Sequence, residues 1–180
     1  MSGRFIAIVG ASGVGKDSVM RALAARSPQF VLARRMITRP PDAGGEDFDG
    51  VSAEDFATHQ KCGAFALHWQ AHGLSYAIPN SVDDHLADGH DVLANLSRSI
   101  LPLAKARFAR FDVVFITANR DALVARLHAR GRENAAEIAR RLDRAEHALP
   151  VGIAHQTFDN SGPLANTVNA IMAHLHPVKA

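Results

Sequence analysis

Apolar residues fall along this chain in short unbroken runs separated by longer amphipathic stretches. The first run, Phe5-Ile6-Ala7-Ile8-Val9, has β-branched members and no polar interruption, so it predicts a strand covered on both faces. A glycine-rich turn follows. Ser18 to Arg26 then places Val19, Leu23 and several alanines on one helical face and stops before Ser27-Pro28. Asp91 to Leu96 and Asp112 to Thr117 repeat the buried-strand pattern. Each leads into a helical one, Leu101 to Arg110 with Pro102 suited to a first turn, and Asp121 to Arg130. Strands alternating with helices predict right-handed crossovers, and so an α/β fold with a parallel sheet and helices on both faces.

Two segments break that rhythm. From about residue 34 to 78 the chain is rich in Arg, Pro, Gly and Asp. It carries a short helix signal, Ser52 capping Ala53 to Lys61, and a hairpin, Phe65 to Gln70 turning at His72-Gly73 into Leu74 to Ile78. From about residue 129 to 144 arginines cluster among helix formers, beginning with Arg130-Gly131-Arg132. No repeat, low-complexity tract or linker divides the chain. A single domain is expected, with its core in residues 1–33, 79–128 and 145–180. The two odd segments read as insertions at the C-terminal edge of the sheet, where open α/β sheets bind ligands.

Composition narrows the function classes. The chain has 180 residues, 47% of them hydrophobic, enough for one well-packed core. Lys and Arg total 20 against 18 Asp and Glu, a net charge of +2, so no nucleic-acid-scale basic surface is expected. Cys62 is the sole cysteine, which excludes an intrachain disulfide and a cysteine-based metal cluster. The histidines are scattered without metal-ligand spacing. The apolar run after Met1-Ser2-Gly3-Arg4 is too short for a signal peptide or a membrane span, so a cytoplasmic enzyme without a membrane partner is expected.

Gly10-Ala11-Ser12-Gly13-Val14-Gly15-Lys16-Asp17-Ser18 lies between a predicted strand and a predicted helix, the context a phosphate-binding P-loop requires. Its glycines let backbone N–H groups converge on a nucleotide β-phosphate, the helix start adds partial positive charge, and Lys16 reaches the β- and γ-phosphate oxygens. The position after the lysine usually bears a magnesium-binding Ser or Thr. Here it is Asp17, with Ser18 next. Asp17 and Ser18 suit an ATP-borne Mg2+, and Asp17 equally suits an acid placed to complement the helix dipole.

The arginine-rich segment offers the second piece of chemistry. A transferring phosphoryl group concentrates negative charge on its equatorial oxygens, and arginines closing over it stabilise that charge. Gly131 supplies a hinge for such closure, while pairs such as Glu137 with Arg141 also fit a solvated helix.

With these residues in view, the sequence resembles the guanylate kinase group of nucleoside monophosphate kinases over nearly its whole length. The likeness runs through Gly10 to Ser18, Ile37-Thr38-Arg39-Pro40 with Gly45-Glu46, and Val51-Ser52-Ala53-Glu54-Asp55-Phe56. It continues through Phe65 to Tyr76, Arg130-Gly131-Arg132-Glu133, Ile138 and Arg141-Leu142. The resemblance implies a P-loop NTPase with a five-stranded parallel core, an acceptor-binding insert and an arginine lid. It also implies acceptor-phosphate roles for Arg39 and Tyr76, and catalytic roles for Lys16, Arg130 and Arg141.

The departures matter as much. Where that group reads guanine with a Glu, a Ser or Thr and an Asp, and holds the acceptor phosphate with a Tyr, this chain has Leu67, Ile78, Ser97 and Phe48. The second arginine of the acceptor loop is missing, with Asp42 nearby, and the aspartate expected at the end of the Asp91 strand is Asn95. A pocket stripped of hydrogen-bonding groups cannot select guanine. The set Gly15 to Ser18, Asn95, Ser97, Arg98 and Arg130-Gly131-Arg132-Glu133-Asn134-Ala135 is similar to a branch of the group that acts in phosphonate catabolism. In that branch ATP phosphorylates the 1-phosphate of ribose 1,5-bisphosphate. The likeness implies ATP and ribose 1,5-bisphosphate as substrates, with Asn95, Ser97 and Arg98 joining Arg39 and Tyr76 around the acceptor. A bisphosphate needs two cationic clusters, for which Arg34, Arg35, Arg39 and Arg98 are available, although Arg34 and Arg35 also suit exposed strand charges. A nucleoside monophosphate kinase of altered base preference and a non-catalytic interaction domain are the alternatives.

Overall fold

The computed structural model describes residues 2–40, 46–130 and 148–176. At its centre is β1 (Phe5–Gly10). In the five-stranded parallel sheet β1 is flanked on one side by β7 (Asp91–Asn95) and then β2 (Phe30–Leu32), and on the other by β8 (Phe111–Thr117) and then β9 (Gln156–Asp159). Because every pairing is parallel, all C-terminal strand ends lie along one edge, with Ile8 opposite Asn95 there.

The unbroken apolar run of β1 is explained by its two covered faces. Ile6 and Ile8 join a core with α1 (Lys16–Arg26), α5 (Arg120–Arg130) and α6 (Leu164–Leu175), contributing Leu23, Leu127 and Ile171. Phe5, Ala7 and Val9 face a second core with Val82 of α3 (Ser81–Ala87) and Leu101 of α4 (Leu101–Arg107). At the opposite edge from the site, Arg4 pairs with the buried Asp91 at 2.6 Å and donates to the Leu175 carbonyl at 2.9 Å.

A second, four-stranded sheet projects from the C-terminal edge, ordered β4 (Phe48–Gly50), β3 (Arg35–Ile37), β6 (Leu74–Pro79), β5 (Phe65–Ala71). β3 and β4 run parallel, and the other neighbours are antiparallel. The expected hairpin turns at His72-Gly73, whose positive φ values of 54° and 75° are those of a tight type I′ turn. Ser52 caps α2 (Ala53–Lys61) by accepting from the Asp55 N–H at 3.0 Å.

Three details depart from the sequence expectation. α4 ends at Arg107, short of Arg110, because Phe108 turns extended and stacks on Phe5 with centroids 3.9 Å apart. The short edge strands β2 and β9, each burying a single aromatic, were not anticipated, nor were α3 and α6. Gly131 onward in the arginine-rich segment lies outside the described residues. Among the described residues no helix is long and apolar enough to cross a membrane.

Candidate active site

The P-loop leaves β1 at Gly10 and enters α1 at Lys16. A Cβ at Gly10 would lie 2.3 Å from the Ile116 carbonyl oxygen, so no other residue fits where the loop grazes β8. Lys16 Nζ folds back and donates to the carbonyls of Gly10 at 2.9 Å and Ala11 at 3.0 Å. Burial lowers the Lys16 pKa to about 8, assisted by Arg35 and Arg98 and opposed by Asp17 and Glu46. An ammonium held so far below its ordinary value gains most from a dense anion placed beside it.

The loop forms one wall of a cleft of about 1090 Å³, to which Gly10, Ala11, Ser12 and Lys16 contribute. Trp69 and Tyr76 line it from the second sheet, Arg39 from the bend just past β3, and Asn95, Ser97 and Arg98 from the end of β7. Of the expected residues, Gly10, Ala11, Ser12 and Lys16 therefore share one cavity with Arg39, Tyr76, Asn95, Ser97 and Arg98. Gly13, Val14, Gly15, Asp17 and Ser18 do not line it, and Val14 is buried. Asp17 accepts from Asn95 Nδ2 at 3.3 Å, and Ser18 is exposed on the first turn of α1. Arg130 ends α5; its side chain and the whole of Arg141 lie outside the described residues.

The paired arginines Arg34 and Arg35 separate cleanly. The Arg34 side chain is 52% exposed and pairs with Asp47 at 2.8 Å and Asp49 at 2.6 Å, a surface charge. Arg35 is 8% exposed and lines the cleft. Glu46 clasps it through both carboxylate oxygens, the Asn95 carbonyl accepts from it at 3.0 Å, and its guanidinium lies 5.1 Å from the Tyr76 ring and 6.0 Å from Trp69. The Arg39 guanidinium stacks over Phe48 at 4.1 Å, and Arg98 over Phe115 at 5.4 Å with its pKa lowered by burial.

Leu67 and Ile78 are cross-strand partners, 2% and 0% exposed, and belong to the second core. Above them Trp69 and Tyr76 pair across the hairpin and stack, centroids 5.5 Å apart at 11°. This end of the cleft offers apolar and aromatic surface flanked by guanidinium groups.

As for a metal, Asp17 supplies a hard carboxylate oxygen at the start of α1, beside the phosphate-facing loop and Asn95. Among the described residues no group of three or more His, Cys, Asp or Glu is placed to cage an ion. That donor set fits Mg2+, which keeps most of its shell as water and phosphate oxygens and takes one or two protein oxygens.

Trp69, His72, Ser99 and the cleft-lining Ala148, Leu149 and Pro150 were not anticipated. Trp69 was within reach of the sequence, since pairing across the expected hairpin places it opposite Tyr76.

A strand–P-loop–helix unit at the C-terminal edge of a parallel sheet, its lysine facing a cation-lined acceptor cleft, defines a P-loop phosphotransferase. Residues 2–175 match the guanylate kinase family, and the chain belongs to that family. It is 46% identical over 180 residues to the ribose 1,5-bisphosphate phosphokinase PhnN of Ruegeria sp. (strain TM1040), covering 99% of this chain and 94% of the relative. The protein of the same name from Pseudomonas fluorescens (strain SBW25) is 47% identical over 184 residues, covering 97% of this chain and 96% of the relative. The fold is shared with the crystal structure of guanylate kinase from Anaplasma phagocytophilum, with a TM-score of 0.70 at 18% identity over 97% of this chain and 85% of that one.

Proposed function

We propose that this enzyme transfers the γ-phosphoryl group of ATP to the 1-phosphate of ribose 1,5-bisphosphate, giving 5-phospho-α-D-ribose 1-diphosphate and ADP. The carrying observation is a cleft that joins the P-loop to Arg35, Arg39 and Arg98, while Leu67 and Ile78, at two of the positions where guanylate kinases read guanine, are buried apolar residues. Leu67 and Ile78 offer a base no hydrogen bond, and a buried polar group left unpaired costs about 1–3 kcal/mol. A base-free sugar bisphosphate avoids that cost and presents a second phosphate. The names of the close relatives support the same reading.

In this reading the loop N–H groups take the β-phosphate, and Lys16 leaves the Gly10 and Ala11 carbonyls for the β- and γ-oxygens. Arg39 and Tyr76 hold the acceptor 1-phosphate, and Asn95, Ser97 and Arg98 the rest of the sugar phosphate. An oxygen of the 1-phosphate attacks the γ-phosphorus as the bond to the β–γ bridging oxygen breaks, and ADP departs. The acceptor is already ionised, so positioning and charge neutralisation do the catalysis, and no strong base is needed. Arg130 and Arg141, in a lid over about 129–144, neutralise the transferring group, and residues 34–78 form the acceptor-binding insert. Asp17 and Ser18 are the side chains that would hold ATP-borne Mg2+, which supplies further neutralisation of the phosphate charge. Soluble substrates support a cytoplasmic location.

The test is a side-by-side coupled assay of ribose 1,5-bisphosphate, GMP and AMP at matched concentrations, with the sugar product identified by phosphorus NMR. Two unpaired base groups predict a kcat/KM at least about a hundredfold higher for the bisphosphate. A win for GMP or AMP would replace this reading with that of a nucleoside monophosphate kinase. No ADP release with any of the three would point to an interaction domain.

A further inference from the structure

On the face of the P-loop turned away from the cleft, the Val14 carbonyl accepts from Asn160 Nδ2 at 2.7 Å and from an Arg126 guanidinium nitrogen at 3.2 Å. Arg126 also donates to the Asn160 carbonyl at 2.6 Å, so the three residues close into one network. Asn160 is 3% exposed, and Thr167 Oγ1 lies 2.9 Å from its Oδ1. Since a carbonyl only accepts, the amide nitrogen must be the atom facing Val14. The chain makes room for this side chain: a Cβ on Gly15 would sit 2.8 Å from Asn160 Nδ2. α5 packs against the loop as well, with Leu127 Cδ2 3.2 Å from the place of a Cβ on Gly13.

We propose that Arg126 and Asn160 are positioning residues for phosphoryl transfer, aiming the P-loop amides by pinning the Val14 carbonyl and fixing the loop against α5. The step from carbonyl to amide is geometric. The chain has no cis peptide among its described residues, and in a trans peptide the C=O and the following N–H point in opposite directions. Pinning the Val14 carbonyl to Asn160 and Arg126 therefore turns the Gly15 N–H away from them, the side on which a phosphate held between the cleft-lining Ser12 and Lys16 would meet it. A preoriented donor stabilises an anion without reorganising when it binds, which is what makes such cradles effective. The same network sets the position of α5, which ends at Arg130. The inference rests on the reading that this loop cradles the phosphates of ATP.

Asn160→Asp is the decisive variant, since it keeps the shape but sets a carboxylate oxygen against the Val14 carbonyl. MgADP affinity by calorimetry should weaken at least about tenfold at about pH 8, the equivalent of roughly 1.4 kcal/mol. The KM for MgATP should rise in step while the KM for the acceptor stays within about twofold, because only the nucleotide half of the cleft is disturbed. At about pH 5.5 the gap to wild type measured at the same pH should narrow, as a protonated carboxyl regains a donor. Arg126→Lys keeps the charge but spans one carbonyl at a time, so it should lose less than Arg126→Ala. It serves as the second probe should Asn160→Asp fail to fold. MgADP affinity within about twofold of wild type in both Asn160→Asp and Arg126→Ala would overturn the proposal. So would equal rises in both KM values together with a lowered Tm, the mark of a merely structural role. Wild-type enzyme unable to bind MgADP would instead overturn the P-loop reading beneath it.

Discussion

Raising the pH should switch off nucleotide capture before it harms the fold. Lys16 is held at a pKa of about 8, chiefly by burial, so its ammonium is about 90% charged at pH 7 and about 10% charged at pH 9. The charged form is the one that meets the phosphates. The kcat/KM for MgATP, which reports the free enzyme, should therefore fall about tenfold over that span along a one-proton limb. Phosphate groups with a second pKa of about 6 are already ionised there and add no limb of their own. Once MgATP is bound its oxygens hold the proton on Lys16, so kcat should stay nearly level over the same range. Stability moves the other way. The folded pKa lies below the ordinary 10.5, so the unfolded chain binds more protons between about 8 and 10.5, and the Lys16 contribution to stability rises with pH across that window. The assay is coupled ADP release at constant ionic strength with coupling enzymes in excess, paired with thermal melts of the ligand-free protein. Lys16→Met should lose turnover by about 10²–10³ and show no limb. A kcat/KM for MgATP that stays flat to about pH 9.5 in the wild type would mean that the Lys16 charge does not govern nucleotide capture.

Arg39→Ala should raise the acceptor KM about tenfold or more and leave the KM for MgATP near wild type, since a charge-assisted contact is worth about 1.5–3 kcal/mol. An equal rise for MgATP would make Arg39 a donor-site or structural residue. Glu46→Ala strips the buried Arg35 of its carboxylate and should lower stability by on the order of 3 kcal/mol, read by denaturant melts. Arg34→Ala, at a solvated ion pair next door in sequence, should leave the melt and both KM values unchanged.

The phosphate end of the site was legible because its determinants are contiguous. The run into Gly10, the loop and Lys16 sit on one stretch of chain, and strand, turn and helix each carry a local signature. β7 and β8 were legible for the same reason as β1, their apolar runs reflecting cover on both faces. β2 and β9 were not, since an edge strand of a few residues with one buried aromatic shows no period. Arg34 and Arg35 show what pattern leaves open. Neighbours on an extended chain point opposite ways, but only the position of Glu46, Trp69 and Tyr76 decides which of them faces inward. The support behind the P-loop was least legible, because Val14, Arg126 and Asn160 are far apart in sequence and meet only through tertiary packing.

The stacked pair on the acceptor wall gives the enzyme an optical handle of its own. The chain contains one tryptophan and one tyrosine, and both are in that stack, Trp69 against Tyr76 with the Arg35 guanidinium beside them. Indole emission from the unlabelled protein therefore comes from a single known place lining the cleft. On the proposed reading, a bisphosphate entering between the guanidinium groups would alter the charge beside that indole and should shift its emission. Acceptor capture would then be visible as light in the absence of ATP, separately from turnover.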